Sequence, residues 1–173
     1  MTNKMVPIKP KDVEQLMVIE EACHSHPWSN KTFTSCIGGR YFGYKLLADN
    51  KCIGFYVGEH VAGEATLMDI CTSPASQGKG YGQLLLSHFI EQAKILSNDK
   101  LWLEVRAKNF AAQMLYIKNG FEEVSRRTGY YPSVGDFGGY EDAIIMSFNL
   151  AKSNLKQTRK SPLKTVKKPR NKR

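Results

Sequence analysis

A six-residue turn constrains this chain more than any other feature. Gln77-Gly78-Lys79-Gly80-Tyr81-Gly82 lies between an apolar β-rich run and a helical stripe of Leu85, Leu86, Phe89, Ile90, Ala93 and Leu96. Glycines let a backbone take positive φ and approach a ligand closely. Successive N–H groups at a helix start, reinforced by the helix dipole, then make an anion site suited to a pyrophosphate. A P-loop requires G-x-x-x-x-G-K-[ST], but Ser73 stands at the first glycine position and Gly80 follows Lys79. A Rossmann turn requires G-x-G-x-x-G, and here the third glycine comes one residue early, after a meander instead of a βαβ unit. Taken alone, the turn is also compatible with an ordinary glycine loop.

The periodicity around the turn predicts an α/β chain. A short strand is expected over 5–8, then a helix over 11–22 carrying Val13, Leu16, Met17 and Ile19. A second helix starts at the N-cap Ser29 and reaches about residue 37. Three strands, 42–48, 52–61 and 64–72, are separated by Asp49-Asn50 and Ala62-Gly63 and read as an antiparallel meander. A helix over 84–96 and a strand over 101–105 follow. The next helix is capped by Asn109 and stopped by Gly120, and the last strands are expected over 121–124 and 143–148, joined by a long Gly/Tyr-rich loop. A mixed sheet covered by helices follows from that order.

Charge divides the chain in two. Residues 151–173 hold ten of the 25 Lys and Arg and no acidic residue, whereas the first 150 residues hold 15 basic and 16 acidic side chains. The expectation is one near-neutral domain over 1–150 and a basic, disordered tail over 151–173 that cannot bury enough apolar surface to order itself. No run approaches 18 apolar residues and the first twelve lack an apolar h-region, so neither a membrane span nor a secretory signal is expected, and the expected compartment is the cytoplasm. Cys23, Cys36, Cys52 and Cys71 contain no C-x-x-C pair and read as free buried thiols. Only His24 and His26 are close among the four histidines, at no zinc-finger spacing, so no metal is expected.

With its neighbours the turn becomes specific. Gln77-x-x-Gly80-x-Gly82 resembles the Q/R-x-x-G-x-G/A motif of the GNAT acetyltransferases, which bind the pyrophosphate of acetyl-CoA there. Four further segments resemble the ribosomal-protein-alanine N-acetyltransferases (the RimI type) within that family. They are His26-Pro27-Trp28-Ser29 with Lys31-Thr32-Phe33, then Glu64-Ala65-Thr66-Leu67, then Leu101-Trp102-Leu103-Glu104-Val105-Arg106. The last runs from Arg126-Arg127 through Tyr130-Tyr131-Pro132 to Glu141-Asp142-Ala143-Ile144-Ile145-Met146. The resemblance spans residues 5 to 150 in order. The basic tail and a glycine-rich stretch over 132–140 depart from the usual pattern. The implied fold is the GNAT fold: a mixed central sheet of about seven strands with about four helices, splayed between the strand ending near Thr72 and the strand 101–106.

Acyl transfer to an amine requires a base for the ammonium, a donor for the oxyanion and an acid for the leaving thiolate. Alternation in the strand puts Leu101, Leu103 and Val105 on one face and Trp102, Glu104 and Arg106 on the other. Glu104 is then a solvated charge, a partner for Arg106 or a functional group, and the resemblance implies the general base. Tyr116 lies two helical turns after Asn109, on the same helix face. It is either a tyrosine packed at the core edge or, as the resemblance implies, the general acid, with Asn109 contacting the cofactor. The resemblance also assigns cofactor contacts to Ile70, Cys71 and Thr72 before the turn and to Gly78, Lys79, Gly80, Tyr81, Gly82 and Gln83 in it. A covalent route through Cys71 finds no neighbouring base in sequence. Trp28, Arg127, Tyr130 and Tyr131 are candidate walls of a substrate groove, or surface packing.

Three functions remain open on the sequence. The first is transfer of acetyl from acetyl-CoA to the N-terminal alanine of a small-subunit ribosomal protein by direct attack in a ternary complex, with the basic tail reaching ribosomal RNA. The second is a GNAT enzyme for another amine, such as a lysine side chain, a polyamine or a drug. The third is a non-catalytic RNA- or ribosome-bound module on a CoA fold. The reference pKa of an α-amine is about 7.7–8.0 against about 10.4 for lysine, so deprotonating lysine at neutral pH costs roughly 3.5 kcal/mol more. That ranks the first above a lysine substrate without excluding it.

Overall fold

The period-two runs pair into one seven-stranded sheet in a computed structural model that describes residues 2–133 and 138–151. The strands are β1 (Asn3–Pro7), β2 (Tyr41–Ala48), β3 (Lys51–Val61), β4 (Glu64–Thr72), β5 (Lys100–Arg106), β6 (Glu122–Pro132) and β7 (Tyr140–Asn149), and the helices are α1 (Val13–Cys23), α2 (Asn30–Ser35), α3 (Tyr81–Ile95) and α4 (Phe110–Lys118). Their sheet order is β1-β2-β3-β4-β5-β7-β6, antiparallel everywhere except between β4 and β5. This is the mixed α/β architecture expected from the sequence.

Each sheet face carries its own apolar layer. Leu85, Leu86, Phe89, Ile90 and Ala93 of α3 and Tyr116 of α4 pack with Leu101, Leu103 and Val105 on one side. Val13, Leu16, Met17 and Ile19 of α1 and Phe33 of α2 pack with Phe55, Val57 and Cys71 on the other. The caps form as the sequence predicts. Ser29 Oγ accepts from Thr32 N at 3.1 Å to start α2, and Asn109 Oδ1 accepts from Ala112 N at 3.2 Å to start α4. Gly120 closes α4 with φ of 97°.

A bulge in β4 shapes the centre of the sheet. Along β3, Val57 faces Asp69 while the next residue, Gly58, faces Leu67, so Met68 is the extra residue. The parallel ladder to β5 covers only Glu64–Leu67 against Lys100–Leu103 and stops at this bulge. Beyond it the strands part, which is the splay expected between them. The bulge also exchanges the faces. Ala65 and Leu67 pack on the α3 side, whereas Cys71 packs on the α1 side.

One expectation fails. The strand expected over 121–124 continues to Pro132, so Arg126, Arg127, Tyr130 and Tyr131 lie on β6 and not in a loop. Register shifts between Glu123 and Ser125 and between Arg127 and Tyr131 interrupt its pairing with β7. These irregularities, on an outer strand exposed nearly throughout, erase the alternation that marks a strand in sequence. Part of the glycine-rich stretch over 132–140, and the expected disordered tail beyond Ala151, lie outside the described residues.

Candidate active site

The splay opens a cleft of about 550 Å³ between β4 and β5, roofed by the start of α3 and by α4. That volume suits a small-molecule site. The glycine turn forms one end. Gly78 and Gly80 hold φ of 74° and 84°, a left-handed region that favours glycine, and no atom lies within 4 Å of where a Cβ would stand on either. The turn therefore presents bare backbone at the N-terminus of the fifteen-residue α3. Of the expected cofactor contacts, Ile70, Thr72, Gly78, Gly80, Tyr81, Gly82 and Asn109 line the cleft.

Three expected contacts are placed differently. Lys79 Nζ bends back to donate to Ala75 O at 3.0 Å. Gln83 turns toward α4 and exchanges hydrogen bonds with Asn119 at 2.7 and 2.9 Å. The Cys71 side chain points into the α1 layer, so only its backbone remains on the splayed strand. Met68–Thr72 carry no ladder to β5, and a linear amide chain fits the edge so exposed.

Glu104 and Tyr116 enter the cleft from opposite faces of the sheet. Leu103 and Val105 are buried on the α3 side, so Glu104 between them projects toward the α1 side, as the alternation predicts. Its partner is not Arg106. Arg127 Nη1 stands 3.1 Å from Glu104 Oε1, while Arg106 Nη1 pairs with the buried Glu141 at 2.7 Å and donates to Pro132 O at 2.9 Å. Tyr116 comes from α4 and is only 5 % exposed. Burial first, then the charges near Asp69 and Cys71, raise its phenol above the ordinary tyrosine pKa. The O–H therefore persists through neutral pH and has a proton to give.

Of the expected groove residues, two share the cleft with Glu104 and a third, Arg127, pairs with it. Trp28 and Tyr131 line the cleft, Trp28 edge-on against Phe33 at 5.8 Å. The Arg106 guanidinium lies 4.3 Å from the centre of the Tyr131 ring. Arg127 and Tyr130 stand one layer outward, with Arg127 5.0 Å from the Tyr130 ring and Tyr130 edge-on to Tyr131 at 4.9 Å.

One cluster was missed by sequence reasoning. Glu20, His24, Asp69 and Cys71 converge where α1 meets the bulged half of β4. His24 Nε2 lies 3.0 Å from Cys71 Sγ, so a base does neighbour this thiol in space. Yet the thiol is 3 % exposed, and its hydrogen bond with Cys23, then burial and the charges of Asp69 and Glu20, raise its pKa. An activated nucleophile needs a depressed pKa, so Cys71 is unsuited to a covalent route. Burial, then the Asp69 charge, also raises the Glu20 carboxyl.

The acetyltransferase (GNAT) family profile matches residues 13–121. The chain is 40% identical over 149 residues to the ribosomal protein bS18-alanine N-acetyltransferase of Salmonella typhimurium, covering 86% of this chain and 99% of that protein. It is 44% identical over 140 residues to the enzyme of the same name from Haemophilus influenzae, covering 81% of this chain and 94% of that protein. The crystal structure of the ribosomal-protein-S18-alanine N-acetyltransferase from Escherichia coli superposes with a TM-score of 0.82 at 39% identity, over 86% of this chain and 94% of that one. Profile, relatives and fold agree with the cleft: the chain belongs to the GNAT family of acetyl-CoA-dependent N-acetyltransferases.

Proposed function

We propose that the protein transfers acetyl from acetyl-CoA to the α-amine of the N-terminal alanine of ribosomal protein bS18, by direct attack within a ternary complex. The observation that carries this reading is the convergence of Glu104 and Tyr116 on one cleft from opposite sheet faces. The relatives that match 81–86% of the chain, one of them a solved structure of the same fold, carry that activity in their names.

The glycine turn holds the diphosphate on the backbone N–H groups before α3, and the unladdered edge of β4 takes the pantetheine amides. Glu104 accepts a proton from the incoming ammonium, and Arg127 orients its carboxylate. The neutral amine attacks the thioester carbonyl. Backbone N–H on β4 between Ile70 and Thr72 stabilises the oxyanion. On collapse the C–S bond breaks, Tyr116 passes its proton to the departing thiolate, and the second amine proton, lost as the amide forms, is released to solvent, from which the phenol is reprotonated. Trp28 and Tyr131 flank the entry for the extended N-terminal peptide. The basic residues 152–173 supply charge for ribosomal RNA.

Steady-state acetyl-CoA turnover on the bS18 N-terminal peptide, a lysine peptide and spermidine tests the assignment. Preference for the α-amine peptide in kcat/KM supports it. Equal or better use of either other amine would replace it.

A further inference from the structure

The cluster of Glu20, His24, Asp69 and Cys71 takes no part in the acetyl-transfer chemistry described above. Its donor atoms all lie within 4.8 Å of one another. His24 Nε2 is 3.0 Å from Asp69 Oδ1, 3.0 Å from Cys71 Sγ and 3.6 Å from Glu20 Oε2. Cys71 Sγ is 3.3 Å from Glu20 Oε2 and 3.9 Å from Asp69 Oδ1. A tetrahedral ion with N and O ligands at about 2.0–2.2 Å and sulfur at about 2.3 Å holds neighbouring donors roughly 3.3–3.7 Å apart. Five of the six edges, from 3.0 to 3.9 Å, straddle that range, and the sixth, between Glu20 and Asp69, is within 4.8 Å.

A second observation points to a missing partner. The Asp69 side chain is 5 % exposed, and its Oδ2 has no hydrogen bond. Asp69 also faces the Glu20 carboxyl directly, and Glu20 is 1 % exposed. Two buried carboxyl groups in contact, one with an orphaned oxygen, call for a cation or a shared proton.

We infer that Glu20, His24, Asp69 and Cys71 form a four-coordinate binding site for a divalent transition-metal ion of the zinc class. Thiolate and imidazole donors select such an ion over magnesium or calcium, which require six or more oxygens. Glu20 and His24 stand four apart at the end of α1, and Asp69 and Cys71 two apart on β4, so each pair shares a face of its element. The Trp28 N–H donates to Glu20 Oε1 at 2.9 Å, which orients Oε2 inward. The His24 side chain is 41 % exposed at the cleft wall and gives the ion a way in. Four protein donors leave no position for an activated water, so the ion ties α1 to β4 and does not act on the thioester.

The test uses the full chain, stripped with a chelator and titrated with Zn2+ and with Co2+. One equivalent should bind, the Co2+ form should show the intense visible bands of a tetrahedral centre with a thiolate charge-transfer band, and Zn2+ should raise the Tm. Cys71→Ser should abolish the charge-transfer band. His24→Ala should weaken Zn2+ binding at least about 100-fold, beyond the 10–100-fold loss that follows removal of an outer-shell partner. Failure of the wild type to bind one equivalent would overturn the site in favour of a shared proton, whatever the variants do. So would a weak octahedral Co2+ spectrum without the thiolate band, or unchanged binding in folded His24→Ala and Cys71→Ser.

Discussion

Arg127 on β6 reaches Glu104 on β5 at 3.1 Å, across the intervening strand β7. Both side chains are partly exposed, at 49 % and 31 %, so the pair contributes little to stability. Its effect is on where the carboxylate points. Arg127→Ala should lower kcat on the peptide about tenfold, less than the roughly 10²–10⁴-fold expected from loss of the base itself, while acetyl-CoA affinity holds. An unchanged kcat would make the pair a surface contact only.

Tyr116 differs from an ordinary tyrosine because burial raises its pKa. A raised phenol keeps its proton to higher pH, so the acid proposed here would be present throughout the working range. Peptide turnover should rise with pH as the amine loses its proton, and should show no descending limb below about pH 10, the reference value for tyrosine. Tyr116→Phe should lower kcat about 100-fold across that range without unfolding the protein. A descending limb below pH 10 that vanishes in Tyr116→Phe would contradict the effect of burial.

Gly80 is the N-cap of α3, with φ of 84°. A Cβ there meets open space, so any penalty in the free protein is backbone strain and not a clash. Valine resists that φ and would occupy the space over the turn. Gly80→Val should weaken acetyl-CoA about tenfold, within the roughly 5–150-fold that about 1–3 kcal/mol of strain in the bound turn corresponds to. Unchanged affinity by calorimetry would move the diphosphate off the turn.

Residues 151–173 carry ten positive charges and no negative one. In the proposed reading that charge holds ribosomal RNA, and a second point of attachment raises local substrate concentration without a contact at the active site. Removing residues 151–173 should leave turnover on a free peptide intact, yet weaken binding to ribosomal RNA and flatten its salt dependence. Equal affinity with an equal salt slope would make the segment dispensable for RNA.

Much of this was legible because local patterns carry it. The bounds of β4, the caps Ser29 and Asn109, and the alternation that aims Glu104 away from the α3 layer are all written in short runs of sequence. The bulge at Met68 is not. A strict period of two puts Asp69 and Cys71 on the face of Leu67, and the inserted residue moves Cys71 to the α1 side, against Glu20 and His24 some fifty residues earlier. The same kind of interruption hid most of β6, and with it the contact between Arg127 and Glu104. The role of Arg106 was likewise invisible, since its carboxylate Glu141 lies 35 residues away on β7.

In the proposed mechanism Glu104 removes a proton from an N-terminal amine in this cleft. The most direct measurement is the pH dependence of turnover by Glu104→Gln on the bS18 N-terminal peptide, beside acetyl-CoA binding by calorimetry. Glu104→Gln should lose about 10²–10⁴-fold at pH 7, partly recover at high pH where the amine is already neutral, and keep its acetyl-CoA affinity. Near-normal turnover by Glu104→Gln at pH 7 would contradict that mechanism.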